Sequence, residues 1–236
     1  MKKNKYLFGI ILLGIIFVLC EITKYDEIIK IENDYVFGNE IEVIETYKEE
    51  IEKLRKENNN DDIVGTIEIL NTDFKAPILQ GRDNDYYLRR LPNKQYNING
   101  SIFLDYRVNI NTSKKLLIYG HNDANLKMPF EILEEYYDIE FLKNHKIIEI
   151  KTYENKLRKY ELFSIFIEPS DFSYMQINYN DEEYLNHLIN LKNKSMYKIE
   201  SNIDKNTNIL ILQTCSTHKD YAKYNKKYLL LVFKEI

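Results

Sequence analysis

The stretch Asn208 to Cys215, N-I-L-I-L-Q-T-C, constrains this chain more than any other. Ile209 to Leu212 form a short, continuous apolar run of the kind a buried strand shows, with Thr214 and Cys215 at its end. A thiol at the rim of a strand is held rigidly and still meets a ligand. Taken alone, Cys215 also reads as a small core hydrophobe, because free cysteine is among the most buried residue types. The other cysteine, Cys20, lies in an apolar stretch near the N-terminus, so the two are not expected to pair. Cys215 is then a single thiol in the domain that follows, and an unpaired thiol in an exported protein is a candidate reactive group.

Export is suggested by the N-terminus. Lys2, Lys3 and Lys5 precede an uncharged run from Tyr6 to Cys20 that ends at Glu21. A spanning helix takes about 20 apolar residues and a signal-peptide core about 7 to 15, so length alone does not decide. No small-x-small cleavage site follows the run, and the residues before Cys20 are too large for a lipoprotein signal. The expectation is a basic cytoplasmic flank over 1–5 and an uncleaved transmembrane anchor over 6–22, with everything beyond it extracellular, as the positive-inside rule requires.

Residues 23–60 are polar and highly charged, with apolar residues at helical spacing that include Ile28, Ile31, Ile44, Tyr47, Ile51 and Leu54. Glutamates alternate with basic residues from Glu45 to Lys56, which suits a solvated helix face. One or two amphipathic helices are expected as a lead-in, forming a stalk or packing on the domain, and stopped by the turn-rich run Asn58 to Asp62.

Beyond that run the period changes to two. Strands are predicted at Ile63 to Leu70, Ala76 to Leu79, Gly100 to Leu104, Leu116 to Gly120, Ile147 to Tyr153, Leu157 to Ile167, Asn208 to Thr214 and Lys227 to Phe233. Helices are predicted after the cap-like Asp83-Asn84-Asp85, at Pro129 to Tyr137, at Asp138 to Asn144, and at Asp181 to Asn193 in a long connection. Short strands with helices confined to the connections make the fold mainly β with peripheral helices, a closed or nearly closed barrel over 61–236. The formal charge of −4 gives no basic field, which argues against a nucleic-acid partner. No H-x-x-x-H or C-x-x-C spacing occurs, so neither a metal nor another cofactor is expected.

Tyr119-Gly120-His121-Asn122 directly follows a strand, where a glycine lets the backbone turn and a histidine faces a cleft. His145, His187 and His218 fall in a polar turn, on a helix and in the loop after Cys215, and read as surface or satisfied residues.

Gly100 to Arg107 (G-S-I-F-L-D-Y-R), Ile118 to Asn122 (I-Y-G-H-N) and Leu212 to Cys215 (L-Q-T-C) resemble the corresponding blocks of class B sortases. Val64-Gly65, Ala76 to Gly81 and Asp83 to Leu88 add to the likeness, which runs in order from about Asp61 to Ile236. The resemblance implies an eight-stranded sortase-type barrel preceded by N-terminal helices, and a cysteine transpeptidase on the outer face of a Gram-positive membrane. Cys215 would be the nucleophile and His121 its partner. A C-terminal sorting signal would be cleaved after threonine, held as a thioester, and passed to an amine of the cell-wall precursor. Thr214, Gln213, Asn122, Tyr86 and Leu88 would line the peptide site. One departure concerns charge. The family places an arginine at the start of the last strand, where this chain has Asn225-Lys226-Lys227-Tyr228, so that Lys227 fits best by position. Lysine supplies charge without a planar fork of donors. Gln213 also stands where the family has a serine. Two other readings follow from these departures, a low-activity module of the same fold that binds peptides, and an exported cysteine hydrolase.

Overall fold

The apolar run at Ile209 to Leu212 becomes the middle of strand β7 (Ile209–Cys215) in the computed structural model, which describes residues 47–123 and 126–236. The anchor expected over 6–22 and the lead-in as far as residue 46 lie outside the described residues. Among the described residues no helix is long and apolar enough to cross a membrane.

Seven further strands complete the sheet: β1 (Ile63–Ile69), β2 (Lys75–Leu79), β3 (Phe103–Leu104), β4 (Lys115–Tyr119), β5 (Ile147–Thr152), β6 (Leu157–Glu168) and β8 (Tyr228–Glu235). They close into a barrel in the order β1-β2-β3-β4-β7-β8-β6-β5, with β5 returning to β1, so the sheet has no free edge. The expected eight-stranded barrel is therefore present. The pairs β2–β3 and β4–β7 are parallel, and the others are antiparallel.

Alternation along β7 divides the apolar side chains between two clusters. Leu210 and Leu212 join Leu116, Ile118, Leu229 and Leu231, while Ile209 and Ile211 join Leu117, Leu230 and Val232. The second cluster also takes in residues of helices α1 (47–58) and α3 (Asp181–Asn193). An eight-stranded barrel has room inside only for side chains, so this cluster is its outer face and the first is its filling. Both faces of β7 are covered, which is why its sequence is continuously apolar rather than alternating.

α1 is docked on the barrel rather than standing clear of it. Ile51 is 1% exposed, the Arg55 Nε donates to the Ile63 carbonyl (2.8 Å), and the Arg55 guanidinium lies 3.7 Å from the centre of the Tyr153 ring. The helix stops where the sequence indicated. Asn59 has φ 47°, and the Asn60 amide donates to the Tyr87 hydroxyl and the Pro92 carbonyl. The compact unit Tyr47–Ile236 accordingly includes this helix. Helix α2 (Ile139–Asn144) is capped by Asp138, and α3 by Asn180 in a capping box with Glu183.

Three local expectations change. The segment Glu131–Tyr137 is a 3-10 helix. The strand expected from Gly100 begins only at Phe103, because Gly100 sits at φ 60° and turns the chain. The helix expected after Asp83-Asn84-Asp85 is a single 3-10 turn, Tyr86–Arg89, capped from within that run by Asp83, whose carboxylate accepts from the amides of Asp85 and Tyr86.

Candidate active site

Parallel pairing of β4 with β7 decides which residues meet at the rim of the barrel. Tyr119 lies level with Gln213, and the Gly120 amide donates to the Gln213 carbonyl (3.1 Å). The two chains leave the sheet side by side, which carries the backbone of His121 and Asn122 along the end of β7. Asn122 makes the contact directly, its Nδ2 donating to the Cys215 carbonyl (3.1 Å). On the other side β8 runs antiparallel, pairing Tyr228 with Cys215, and the Ser216 amide donates to the Lys227 carbonyl (2.9 Å). Cys215 is thus exposed between His121-Asn122 and Lys227-Tyr228.

Although the residue is open to solvent, its thiol is raised above the ordinary value. Desolvation by the surrounding chain is the main cause, Asp123 adds to it, and the positive charge of Lys227 opposes both. Lys227 is the cation that acts on the thiol this way, while two partly or wholly buried arginines of the barrel are committed elsewhere. Arg158 is paired with Glu235 (2.7 and 2.9 Å), and Arg107 is forked onto Asp105 (2.8 and 2.7 Å).

His121 is half-buried and its Nε2 lies 2.7 Å from the Leu88 carbonyl. A carbonyl only accepts, so Nε2 carries the proton, and Nδ1 of the neutral ring is left as the basic nitrogen. Leu88 belongs to the 3-10 turn Tyr86–Arg89, and its carbonyl is held in place by an unusual neighbour. Gly100 passes so close that a Cβ there would lie 2.4 Å from the Leu88 oxygen. Gly100→Ala is therefore expected to lower the thermal midpoint, through left-handed strain of about 1–2 kcal/mol and this clash, and to displace the carbonyl that orients His121. Thermal unfolding and the histidine ring resonances in NMR check the two effects separately.

Gly120 has a different reason from the one expected. Its backbone is not in the left-handed region; instead a Cβ would lie 2.5 Å from the Phe130 ring, so glycine is needed for close approach. The Phe130 amide in turn donates to the His121 carbonyl (3.0 Å).

The remaining expected site residues divide. Gln213 is half-buried, and its Oε1 accepts from the Tyr174 hydroxyl (2.9 Å). Thr214 is 2% exposed, on the opposite face of β7 from Cys215, with its hydroxyl buried and without a hydrogen-bond partner among the described residues, so its side chain is turned away from the thiol. Tyr86 packs edge-on against Tyr87 and under the Arg90 guanidinium (4.3 Å), and is not brought to Cys215 by any contact among the described residues. His187 is buried on α3, His145 bonds the Leu70 carbonyl, and His218 accepts from the Asp220 amide and packs on Tyr137, as bystanders do.

Sequence reasoning missed the groups that fix the chain after the cysteine. Both the amide and the hydroxyl of Thr217 donate to the Glu134 carboxylate, and Tyr137 shares a hydrogen bond with the Ser216 hydroxyl (2.8 Å). Glu134 and Tyr137 lie on the 3-10 helix, about 80 residues earlier in the chain, and no local pattern signals the pairing.

Comparison with known proteins agrees with this arrangement. The family model described as a Sortase domain matches residues 67–232. Sortase B of Listeria monocytogenes is 35% identical over 180 residues, covering 75% of this chain and 71% of that protein. The crystal structure of Clostridium perfringens sortase B superposes with a TM-score of 0.69 at 30% identity, covering 78% of this chain and 98% of that one. A Staphylococcus aureus sortase B–substrate complex gives the same TM-score at 27% identity, covering 87% and 98%.

Proposed function

Since the chain belongs to the sortase family of cysteine transpeptidases and is similar to its class B members, we propose that it cleaves a C-terminal sorting signal after threonine and transfers the protein to a cell-wall amine. The observation that carries this reading is the exposed Cys215 at the end of β7, flanked by His121 and Asn122 from the parallel strand and Lys227 from the next.

The chemistry runs as an acyl transfer. The Cys215 thiol gives its proton to Nδ1 of His121 as its sulfur attacks the carbonyl carbon of the threonine; the tetrahedral adduct collapses to a thioester as the C–N bond breaks, and the imidazolium passes that proton to the leaving amine. A second amine attacks the thioester, gives up a proton to His121, and releases the thiol. Lys227 places positive charge beside the sulfur and the oxyanion. Asn122, tied to the Cys215 carbonyl, steadies the backbone at the nucleophile. Leu88 fixes His121, and Gln213 faces the peptide. The N-terminal run over 6–22 anchors the chain in the membrane with the barrel outside, which is where a sorting signal and a wall-precursor amine are found.

The test is mass spectrometry of the full chain, purified in mild detergent, with a small library of threonine-containing peptides. A peptide-sized adduct on Cys215 that an added amine releases supports a transferase. Release by water alone, indifferent to amine, makes it a hydrolase. No adduct from a chain whose Cys215 still alkylates overturns the enzymatic reading in favour of a peptide-binding module.

The lysine in the arginine position makes its own prediction. Lys227→Arg should preserve or raise turnover, since the fork adds donors to the charge. Lys227→Gln should raise the thiol further, because removing a cation disfavours the thiolate, and should slow turnover by about 10²-fold if an oxyanion partner is lost. The pH dependence of Cys215 alkylation reads the first effect, with the midpoint moving up, and steady-state kinetics read the second.

A further inference from the structure

Two cations that the chemistry above does not use converge on one short piece of chain. β4 opens with Lys115, which is 3% exposed, and its Nζ donates to the carbonyls of Tyr174 (2.6 Å) and Gln176 (2.8 Å). Arg107, from the connection between β3 and β4, donates its Nη2 to the carbonyl between them, that of Met175 (3.0 Å). Three consecutive carbonyls of the long β6–β7 connection are therefore held by two cations.

Both cations are themselves fixed. Arg107 is forked onto the fully buried Asp105, which also accepts from the Tyr119 hydroxyl (2.8 Å). Lys115 also reaches the Tyr179 hydroxyl (3.3 Å) and the Nε2 of His187 on α3 (3.0 Å). Burial, and then the like charge of Arg107, bring Lys115 down to about 7. Against this, four acceptors around three protons favour the ammonium. His187 answers by staying neutral as the acceptor, pushed to about 3 by burial and by Lys115.

The held segment leads to the thiol along two short paths. The Tyr174 hydroxyl donates to Gln213 Oε1 (2.9 Å), two residues before Cys215. Phe172 packs its ring against that of Tyr228 (5.8 Å), the residue paired with Cys215 across β7 and β8. An isolated turn with such connections and no regular ladder of its own moves unless its backbone is gripped.

We propose that Lys115 and Arg107 are positioning residues for the thiol site: by gripping the carbonyls of Tyr174 to Gln176 they hold Tyr174 against Gln213 and set the wall that the acyl-donor peptide meets beside Cys215. The inference rests on the transpeptidase reading for its peptide and on geometry alone for its clamp. Lys115→Met removes the charge at similar length, and Tyr174→Phe removes only the hydroxyl. If Lys115 acts through Tyr174, each variant raises KM for the peptide by about tenfold with little change in kcat, and the double variant loses no more than either alone. A purely structural lysine would lower the unfolding midpoint without this split and would combine additively with Tyr174→Phe.

Hydrogen exchange of the full chain supplies a readout that needs no turnover. Faster exchange over residues 172–180 in Lys115→Met, with β4, β7 and β8 unchanged, is the expected result, and unchanged exchange there overturns the clamp. Should the wild-type chain form no adduct with any peptide, the transpeptidase reading fails while the exchange comparison still decides the clamp. Arg107→Gln, at a partly exposed side chain, takes the place of Lys115→Met if that variant does not fold, with the same two outcomes.

Discussion

Cys215→Ala is expected to abolish acyl-enzyme formation and reduce turnover to background, while leaving the barrel folded. Cys215 is small and stands at a strand end open to solvent, so its loss removes little packing although the surrounding chain partly desolvates the sulfur, and substitutions at such positions change stability by about 0.5 kcal/mol or less. No other cysteine occurs after Cys20, so nothing else in the barrel can carry a thioester. Burial and Asp123 raise the Cys215 thiol above its ordinary value. The thiol therefore rests protonated at neutral pH, and the attacking thiolate has to be made during the reaction. Intact-mass spectra after incubation with peptide should show the wild-type adduct and none for the variant. Unfolding curves that superpose to within a few degrees guard against a folding defect. Turnover retained by Cys215→Ala would remove the covalent mechanism altogether.

The sequence made the long strands legible because their physics is local. Ile209 to Leu212 had to be buried on both faces, and the two covering clusters explain why the run does not alternate. The ends of β4 and β7 were legible for the same reason, since His121 and Cys215 each follow the last apolar residue of a run. What stayed hidden depends on contacts distant in sequence. Gly120 looked like a turn glycine and is a close-packing one, a distinction that only the Phe130 ring draws. Thr214 sits beside the cysteine in sequence, but a strand turns successive side chains to opposite faces, and the buried face took the threonine. Glu134 and Tyr174, which hold the chain on either side of Cys215, are ordinary residues until the barrel closes. β3 was overestimated because strand propensity at Gly100 to Ile102 yields to the turn that Gly100 makes over Leu88.

His121→Ala is expected to be nearly as damaging as loss of the thiol, with turnover falling by about 10²- to 10⁴-fold, the usual range for a positioned acid–base group. A protonated thiol needs a base to become a nucleophile, and the leaving amine needs an acid, and in the proposed mechanism the His121 imidazole serves both in turn. The ring is prepared for this by the Leu88 carbonyl, which binds Nε2–H and so directs proton transfer to Nδ1. The same hydrogen bond strengthens when the ring becomes an imidazolium, so it stabilises the charged form at the step that needs it. His218→Ala should by contrast be mild, since that ring accepts one amide hydrogen bond and packs on Tyr137 and Tyr221 in the loop after the cysteine. The measurement is kcat/KM for both variants, together with the alkylation rate of Cys215 at high pH, where the thiolate forms without help. His121→Ala should alkylate there as the wild type does and yet fail to turn over. The reverse order of damage between the two histidines would transfer the acid–base role to His218 and leave His121 as a structural residue of the β4 rim.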